Sequence, residues 1–186
     1  MNLLYCGDSN IKDGLFLSIK SILKVEKEVL NIYVLSMDYL NYKKIDLEFI
    51  SYLDSLVKEV NKNSFVKLID MTKTYLENEC KANKDTMFTP YCMLRLYSDL
   101  VDLPSKILYL DTDVLAYKSF KEFYDIDNSN YEIVGVLDYY GSHIYKKNPF
   151  KKDYLFKGLL KKNITKDTKR SKLLASKNIT RERRFN

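Results

Sequence analysis

The chain has 186 residues, of which 46% are hydrophobic, including 16 Tyr and 9 Phe, and this composition excludes a largely disordered protein. Its length suits one domain with a substantial core. The net charge of +6 is uneven, because residues 157–186 carry +9 and residues 1–156 carry −3. We therefore expect a mildly acidic domain over residues 1–156 and a basic, partly disordered tail over residues 157–186.

The first residues predict a cytoplasmic protein. An acid, Asp8, follows the opening apolar residues too soon for a signal peptide. No apolar run approaches the roughly eighteen residues that a membrane-spanning helix needs. The three cysteines are widely spaced, which is typical of reduced thiols rather than of a disulfide or metal site.

Predicted strands and helices alternate along the chain. Strands are expected over residues 2–6, 31–37 and 65–70, in the segment that ends at Asp111, and over residues 131–137. Residues 12–25 form a helix with one apolar face, and a longer helix is lined by Ile45, Phe49, Leu53, Leu56 and Val60. A third helical pattern follows Pro90. This alternation predicts an α/β fold with a mainly parallel sheet.

Polar side chains follow several of these strands. Asp8 and Asn10 follow the first, Asp111 and Asp113 the fourth, and Asp138 the last. Ligands of such folds bind at the carboxyl ends of the strands, so together these residues indicate a site. Taken alone, Asp8 and Asn10 are more typical of a turn and helix cap.

The pair Asp111 and Asp113 ends the apolar segment Ile107–Leu110. If the segment is extended, side chains two residues apart point the same way, and two like charges repel unless a cation or a shared proton lies between them. Carboxylate oxygens suit Mg²⁺ or Mn²⁺, whose coordination is commonly completed by substrate phosphates. The pair therefore predicts a divalent metal site.

Two further polar residues are open to both structural and functional interpretations. Arg95 lies in an apolar helical pattern, where a single arginine is more often a surface residue or an ion-pair partner. His143 is the only histidine and lies in a loop-like context, so an exposed position is favoured over a ligand role.

With these segments in view, the chain resembles glycosyltransferase family 8. The resemblance is carried by Leu3–Asn10 with Leu17–Ile22, by Phe88–Leu96, and by Leu103–Val114, which includes Leu-Tyr-Leu-Asp-Thr-Asp. It implies a GT-A type nucleotide-diphospho-sugar transferase fold with a Rossmann-like parallel sheet. It also implies a retaining hexosyltransferase that uses a UDP-sugar.

The resemblance assigns roles to individual positions. The implied nucleotide-binding residues are Asp8, Asn10, Arg95, Asp111, Thr112 and Asp113. Asp8 and Asn10 match residues that hold the base and ribose, and Arg95 matches an arginine that reaches the donor. Asp111 and Asp113 match the pair that binds Mn²⁺ (or Mg²⁺) against the donor diphosphate. Asp138 matches an aspartate facing the sugar pocket, which makes it the candidate catalytic residue.

The chain also departs from the family pattern. Phe156 stands where the family usually has an asparagine two residues before a glycine, here Gly158. Family members are longer, and near their C-terminus carry a histidine that completes the metal site and a Lys-Pro-Trp-like segment, whereas this chain has no Trp. We expect the sequence past Lys157 to be foreign to the family, as in a truncated product that keeps the donor-binding half.

The resulting expectation is hexose transfer from a UDP-sugar to a saccharide or lipid-linked acceptor, as in bacterial surface polysaccharides. The basic tail would contact an anionic membrane at its inner face rather than a specific nucleic acid, unless it is only a solvated end. One alternative is a UDP-sugar-binding remnant without turnover. Another is a haloacid-dehalogenase-type phosphatase with Asp111 as nucleophile and Asp113 as general acid.

Overall fold

The computed structural model describes residues 1–79, 90–128, 133–135 and 172–175. Within these ranges, six strands form one sheet: β1 (Asn2–Cys6), β2 (Asn31–Ser36), β3 (Phe65–Asp70), β4 (Lys106–Tyr109), β5 (Ile133–Val134) and β6 (Lys172–Ala175). Their order across the sheet is β3-β2-β1-β4-β6-β5, and every neighbouring pair is parallel. The predicted α/β fold with a parallel sheet is confirmed.

The helices within the described ranges lie between the strands. They are α1 (Lys12–Val25), α2 (Leu47–Val60), α3 (Thr72–Glu77) and α4 (Lys121–Asp125), with 3₁₀ helices over Ser9–Ile11 and Pro90–Leu100. The long helix begins at Leu47 because Asp46 caps it, accepting a hydrogen bond from Phe49 N at 2.8 Å. Ile45 therefore precedes the helix in which it was predicted, although its side chain is buried.

Apolar residues cover both faces of the sheet. Leu3 and Tyr5 of β1 pack in one cluster with α1 and α2, while Leu4 between them packs in a second cluster with Tyr91 and Leu94 of the second 3₁₀ helix. Successive strand residues point to opposite faces, so β1 is buried on both sides, as a central parallel strand must be. This burial places β1 and its neighbours rigidly in the core.

The far edge of the sheet differs from the predicted pattern. The described part of the strand predicted over residues 131–137 is Ile133–Val134, and Asp138 lies outside the described residues. Residues 172–175 of the predicted tail form β6, between β4 and β5. Their sequence, Lys-Leu-Leu-Ala, is an apolar interval in a basic segment. The domain boundary near residue 157 stays a prediction.

The strand order determines where loops meet. β2, the next strand along the chain, pairs with one edge of β1. β4 pairs with the other edge of β1, with Leu3 opposite Leu108 and Leu4 opposite Tyr109. The carboxyl ends of β1 and β4 therefore meet at a point where the order of strands reverses, which is the common ligand site of such sheets. Among the described residues, none of the helices is long and apolar enough to cross a membrane.

Candidate functional site

The loop after β1 is organised by Asp8. This side chain is only 7% exposed, and its two oxygens accept hydrogen bonds from Asn10 N and Asn10 Nδ2, each at 3.0 Å. Asp8 thereby caps the 3₁₀ helix Ser9–Ile11. The interpretation of Asp8 as a cap is confirmed, and the structure brings Asp8 and Asn10 together.

Neighbouring segments hold this loop in place. Gly7 N donates to Leu35 O at 3.1 Å and Ser9 N donates to Lys43 O at 2.8 Å, so the loop is bonded to β2 and to the segment after it. A Cβ atom on Gly7 would collide with the side chain of Ile11. A glycine at this position lets the chain turn closely from β1 into the 3₁₀ helix.

The two aspartates lie in a turn rather than in an extended strand. β4 ends at Tyr109, and Val114 N donates to Asp111 O at 3.1 Å, which closes a turn over Asp111-Thr112-Asp113. The expectation that the two aspartates lie in an extended segment is therefore wrong, because the chain turns just after β4. Both residues nevertheless stay at the carboxyl end of β4, beside the loop after β1.

Arg95 and Tyr109 surround the first of these carboxylates. Arg95 Nη1 lies 3.5 Å from Asp111 Oδ1, and the Tyr109 hydroxyl donates to the same oxygen at 2.7 Å. The guanidinium carbon of Arg95 is 4.7 Å from the centre of the Tyr109 ring, a cation–π distance. The ion-pair interpretation of Arg95 is confirmed, and its guanidinium offsets part of the negative charge of the two aspartates.

Tyr109 is a site residue that sequence reasoning missed. Burial raises the pKa of its phenol, and the nearby Cys6 and the hydrogen bond to Asp111 act in the same direction, whereas Arg95 opposes them. The phenol is therefore protonated at neutral pH and acts as the donor to Asp111. The signal in the sequence was a tyrosine two residues before the first aspartate.

The 3₁₀ helix that carries Arg95 is anchored by Tyr91. The Tyr91 hydroxyl donates to Met37 O at 2.9 Å, and its ring packs edge to face on Tyr42 at 5.7 Å. Burial, followed by the nearby carboxylates of Asp8 and Asp38, raises the pKa of Tyr91. This helix therefore links the ends of β1, β2 and β4.

The start of α1 packs directly on the aspartate turn. A Cβ atom built on Gly14 would lie 3.0 Å from Thr112 O and 3.4 Å from Thr112 Cβ. The segment after the turn is also fixed to α1, because Ala116 N donates to Ser21 Oγ at 2.9 Å and Phe120 N donates to the buried Glu26 at 2.8 Å. The turn and the segment after it are thus held against α1 and the residue that caps its C-terminus.

The donor set suits a hard divalent cation. Asp111 is partly exposed and Asp113 is exposed, so their oxygens are accessible, and such oxygens suit Mg²⁺ and Mn²⁺. The described residues contain no cluster of three acidic, histidine or cysteine side chains that could hold a metal. A cation bound to the two aspartates therefore needs further ligands from a bound molecule, from water or from residues beyond those described. Asp138 and His143 are both outside the described residues.

The family described as Glycosyl transferase family 8 matches residues 2–173. The chain belongs to this glycosyltransferase family. The match covers β1 to β4 together with both loops of the site, as the resemblance in the sequence predicted. It also extends beyond residue 157, past the point where the sequence was expected to become foreign.

Individual relatives agree with the family. A Haemophilus influenzae protein whose assigned name is that of a glycosyltransferase is 25% identical over 138 residues, or 74% of this chain and 39% of that protein. The structure of the galactosyltransferase LgtC in complex with donor and acceptor sugar analogues matches with a TM-score of 0.62 and 17% identity, covering 82% of this chain and 51% of LgtC. A structure of an active-site mutant of LgtC matches with a TM-score of 0.58 and 18% identity, over 75% of this chain and 47% of that chain.

The similarity to LgtC shows that this family member has the GT-A type fold. The chain spans about half the length of LgtC and about two fifths of the Haemophilus protein. Family and fold are therefore established for the matched part.

The packing of α1 on the aspartate turn predicts the effect of Gly14→Ala. In an open helix this change stabilises by about 1 kcal/mol. Here the new methyl group presses on the backbone of Thr112, so we expect the free energy of unfolding to fall by about 1–2 kcal/mol. Urea unfolding measures the difference, with Lys24→Ala on the exposed side of α1 as a control expected to change it by less than about 0.5 kcal/mol. A gain in stability for Gly14→Ala would contradict the close contact.

Proposed function

We propose that the chain binds a UDP-sugar together with Mn²⁺ (or Mg²⁺) and transfers the hexose, with retention of configuration, to a saccharide or lipid-linked acceptor. The observation that supports this most is the meeting of two loops at one sheet edge. The Asp8–Asn10 loop and the Asp111–Asp113 turn follow the paired strands β1 and β4 in a member of glycosyltransferase family 8. Donor and acceptor analogues are bound by LgtC, which shares the fold.

The residues of this edge have complementary roles in the proposal. Asp8 and Asn10 offer directional hydrogen bonds to the base and ribose of uridine. Arg95 supplies a positive charge beside the turn, suited to a diphosphate or to the sugar that it carries. Asp111 and Asp113 would hold the cation, with Thr112 between them at the nucleotide. A cation there would stabilise the negative charge that develops on the departing nucleoside diphosphate.

Asp138 is proposed to face the sugar pocket on the strength of its sequence position alone. It follows the strand segment that includes β5, which lies in the same sheet as β1 and β4. If this strand continues to residue 137, as the sequence predicts, Asp138 would follow it at the sheet edge that carries the carboxyl ends of β1 and β4.

The two alternatives fare differently. The phosphatase alternative leaves the N-terminal strand and helix pattern unexplained, whereas the family match includes it. Binding without turnover stays a second candidate, and it is favoured by Phe156, which stands where the family usually has an asparagine that helps to build the sugar site. The experiments below separate binding from transfer.

The first experiment tests metal-dependent nucleotide binding. Titration of UDP into the protein should release heat in the presence of Mn²⁺ and much less with a chelator, because the cation links the two aspartates to the diphosphate. Asp111→Ala and Asp113→Ala should each abolish this difference while unfolding stays cooperative, since both residues are accessible.

The control is Asp99→Ala, which removes an exposed aspartate from the 3₁₀ helix of Arg95 and changes the net charge equally. It should leave the metal dependence intact. Equal heats with Mn²⁺ and with chelator in the wild-type protein would exclude the metal-bridged complex. Non-cooperative unfolding of the aspartate variants would show that the turn has a structural role instead.

The second experiment tests turnover. UDP release from UDP-glucose and UDP-galactose with Mn²⁺ should require Asp113. We expect a rate below about one per second, because Phe156 replaces an asparagine whose hydrogen bonds would orient the sugar. Binding without any release would favour the non-catalytic alternative. Release that Asp113→Ala leaves unchanged would exclude this site as its source.

The third experiment concerns the basic segment. Its charge of +9 over residues 157–186 is proposed to hold the protein at the inner face of an anionic membrane, at about 1 kcal/mol for each basic residue near the surface. Sedimentation with anionic vesicles should exceed that with neutral vesicles and fall as salt increases. The double variant Arg183→Gln, Arg184→Gln should bind more weakly. Equal sedimentation with anionic and neutral vesicles would show that the basic segment is only a solvated end. Comparable binding to single-stranded nucleic acid would indicate non-specific electrostatic attraction.

A further inference from the structure

Tyr109 holds one oxygen of Asp111 from a rigid position. Its side chain is 4% exposed, at the end of β4, and its backbone pairs with Leu4 in the buried strand β1. The hydroxyl lies 2.7 Å from Asp111 Oδ1. A phenol whose ring is fixed by packing loses little freedom when it binds a carboxylate, so it determines where that carboxylate lies.

The two contacts of Asp111 fall on the same oxygen. Arg95 Nη1 approaches Oδ1 at 3.5 Å, as the Tyr109 hydroxyl does at 2.7 Å. Within the described residues, Oδ2 has no hydrogen-bond partner, and the side chain is 30% exposed. The carboxylate is therefore oriented through one oxygen and accessible through the other. Metal-binding carboxylates are commonly oriented by hydrogen bonds of this kind.

Arg95 depends on the same tyrosine. Its guanidinium carbon lies 4.7 Å from the centre of the Tyr109 ring, so the ring supports the cation while the hydroxyl binds the anion. The buried Tyr109 side chain thus contacts both the carboxylate of Asp111 and the guanidinium of Arg95. The hydroxyl and the ring can be separated by substitution, because phenylalanine keeps the ring and removes the hydroxyl.

We propose that Tyr109 is a positioning residue that orients Asp111 so that Oδ2 is presented to the divalent cation. This inference rests on the proposed function and adds a residue to it, since the cation was assigned to Asp111 and Asp113 alone. The hydroxyl acts through Asp111 and need not touch the cation or the nucleotide. The opposite possibility, that the hydroxyl competes with the cation for Asp111, predicts the reverse effect of removing it.

The test compares Tyr109→Phe with Tyr5→Phe. Tyr5 is a fully buried tyrosine on the neighbouring strand β1, and its hydroxyl forms a hydrogen bond with Ser18 Oγ at 2.9 Å. It packs with α1 and α2, on the opposite face of the sheet from Tyr109. Mn²⁺ is titrated into each protein saturated with UDP, and heat is measured. We expect Tyr109→Phe to weaken Mn²⁺ affinity about tenfold and Tyr5→Phe to change it by less than about twofold. UDP affinity in chelator should be the same in all three proteins.

The outcomes separate this inference from the proposed function. Equal Mn²⁺ affinities of the two variants, in a wild-type protein that binds Mn²⁺ and UDP, would overturn the role of Tyr109 only. Tighter Mn²⁺ binding by Tyr109→Phe would also overturn it, in favour of competition. Absence of Mn²⁺-dependent UDP binding in the wild-type protein would overturn the proposed function and the inference together. Urea unfolding of both variants checks that each retains its fold, which the loss of one hydroxyl leaves intact.

Discussion

The pairing of β1 with β4 is the constraint on which the rest of the site depends. Leu4 opposite Tyr109 places the loop that contains Asp8 next to the turn that contains Asp111, although about a hundred residues separate them in sequence. The pairing is secured by burial, since β1 is covered on both faces. A sheet in which β4 paired elsewhere would keep every motif and lose the site.

Charge at the candidate site is partly balanced by the protein itself. A carboxylate at a strand end attracts cations, and Arg95 provides one at 3.5 Å from Asp111. The pair is partly exposed on both sides, so its own contribution to stability is small. The positive charge of the arginine nevertheless opposes the repulsion between the two aspartates of the turn.

The spacing of apolar residues and the polar residues after each strand predicted most of the architecture. Strands that are buried on both faces consist of continuous apolar residues, which can be recognised in the sequence. The extended backbone expected at Asp111 and Asp113 was wrong, since a local alternation rule cannot show that the chain turns after Tyr109. The roles of Gly14 and Tyr109 were missed for a related reason. Gly14 depends on Thr112, which only the tertiary fold brings near. Tyr109 depends on the turn that brings Asp111 back to its hydroxyl and on Arg95, which the fold places beside its ring.

The turn combines a fixed backbone with accessible side chains, and this combination has a physical basis. The backbone is fixed by Gly14 beneath Thr112 and by the bonds from Ala116 and Phe120 to α1. The carboxylates are accessible, that of Asp111 in part and that of Asp113 more fully, and Asp111 is held by Tyr109 and Arg95 through Oδ1. The proposed function gives this combination a use. A cage of buried ligands would retain a cation that has to leave with each ligand, and a mobile loop would bind it weakly, because ordering the loop costs free energy. Under that proposal, two accessible aspartates on a rigid turn would bind the cation weakly alone and more strongly when a diphosphate supplied the remaining oxygens.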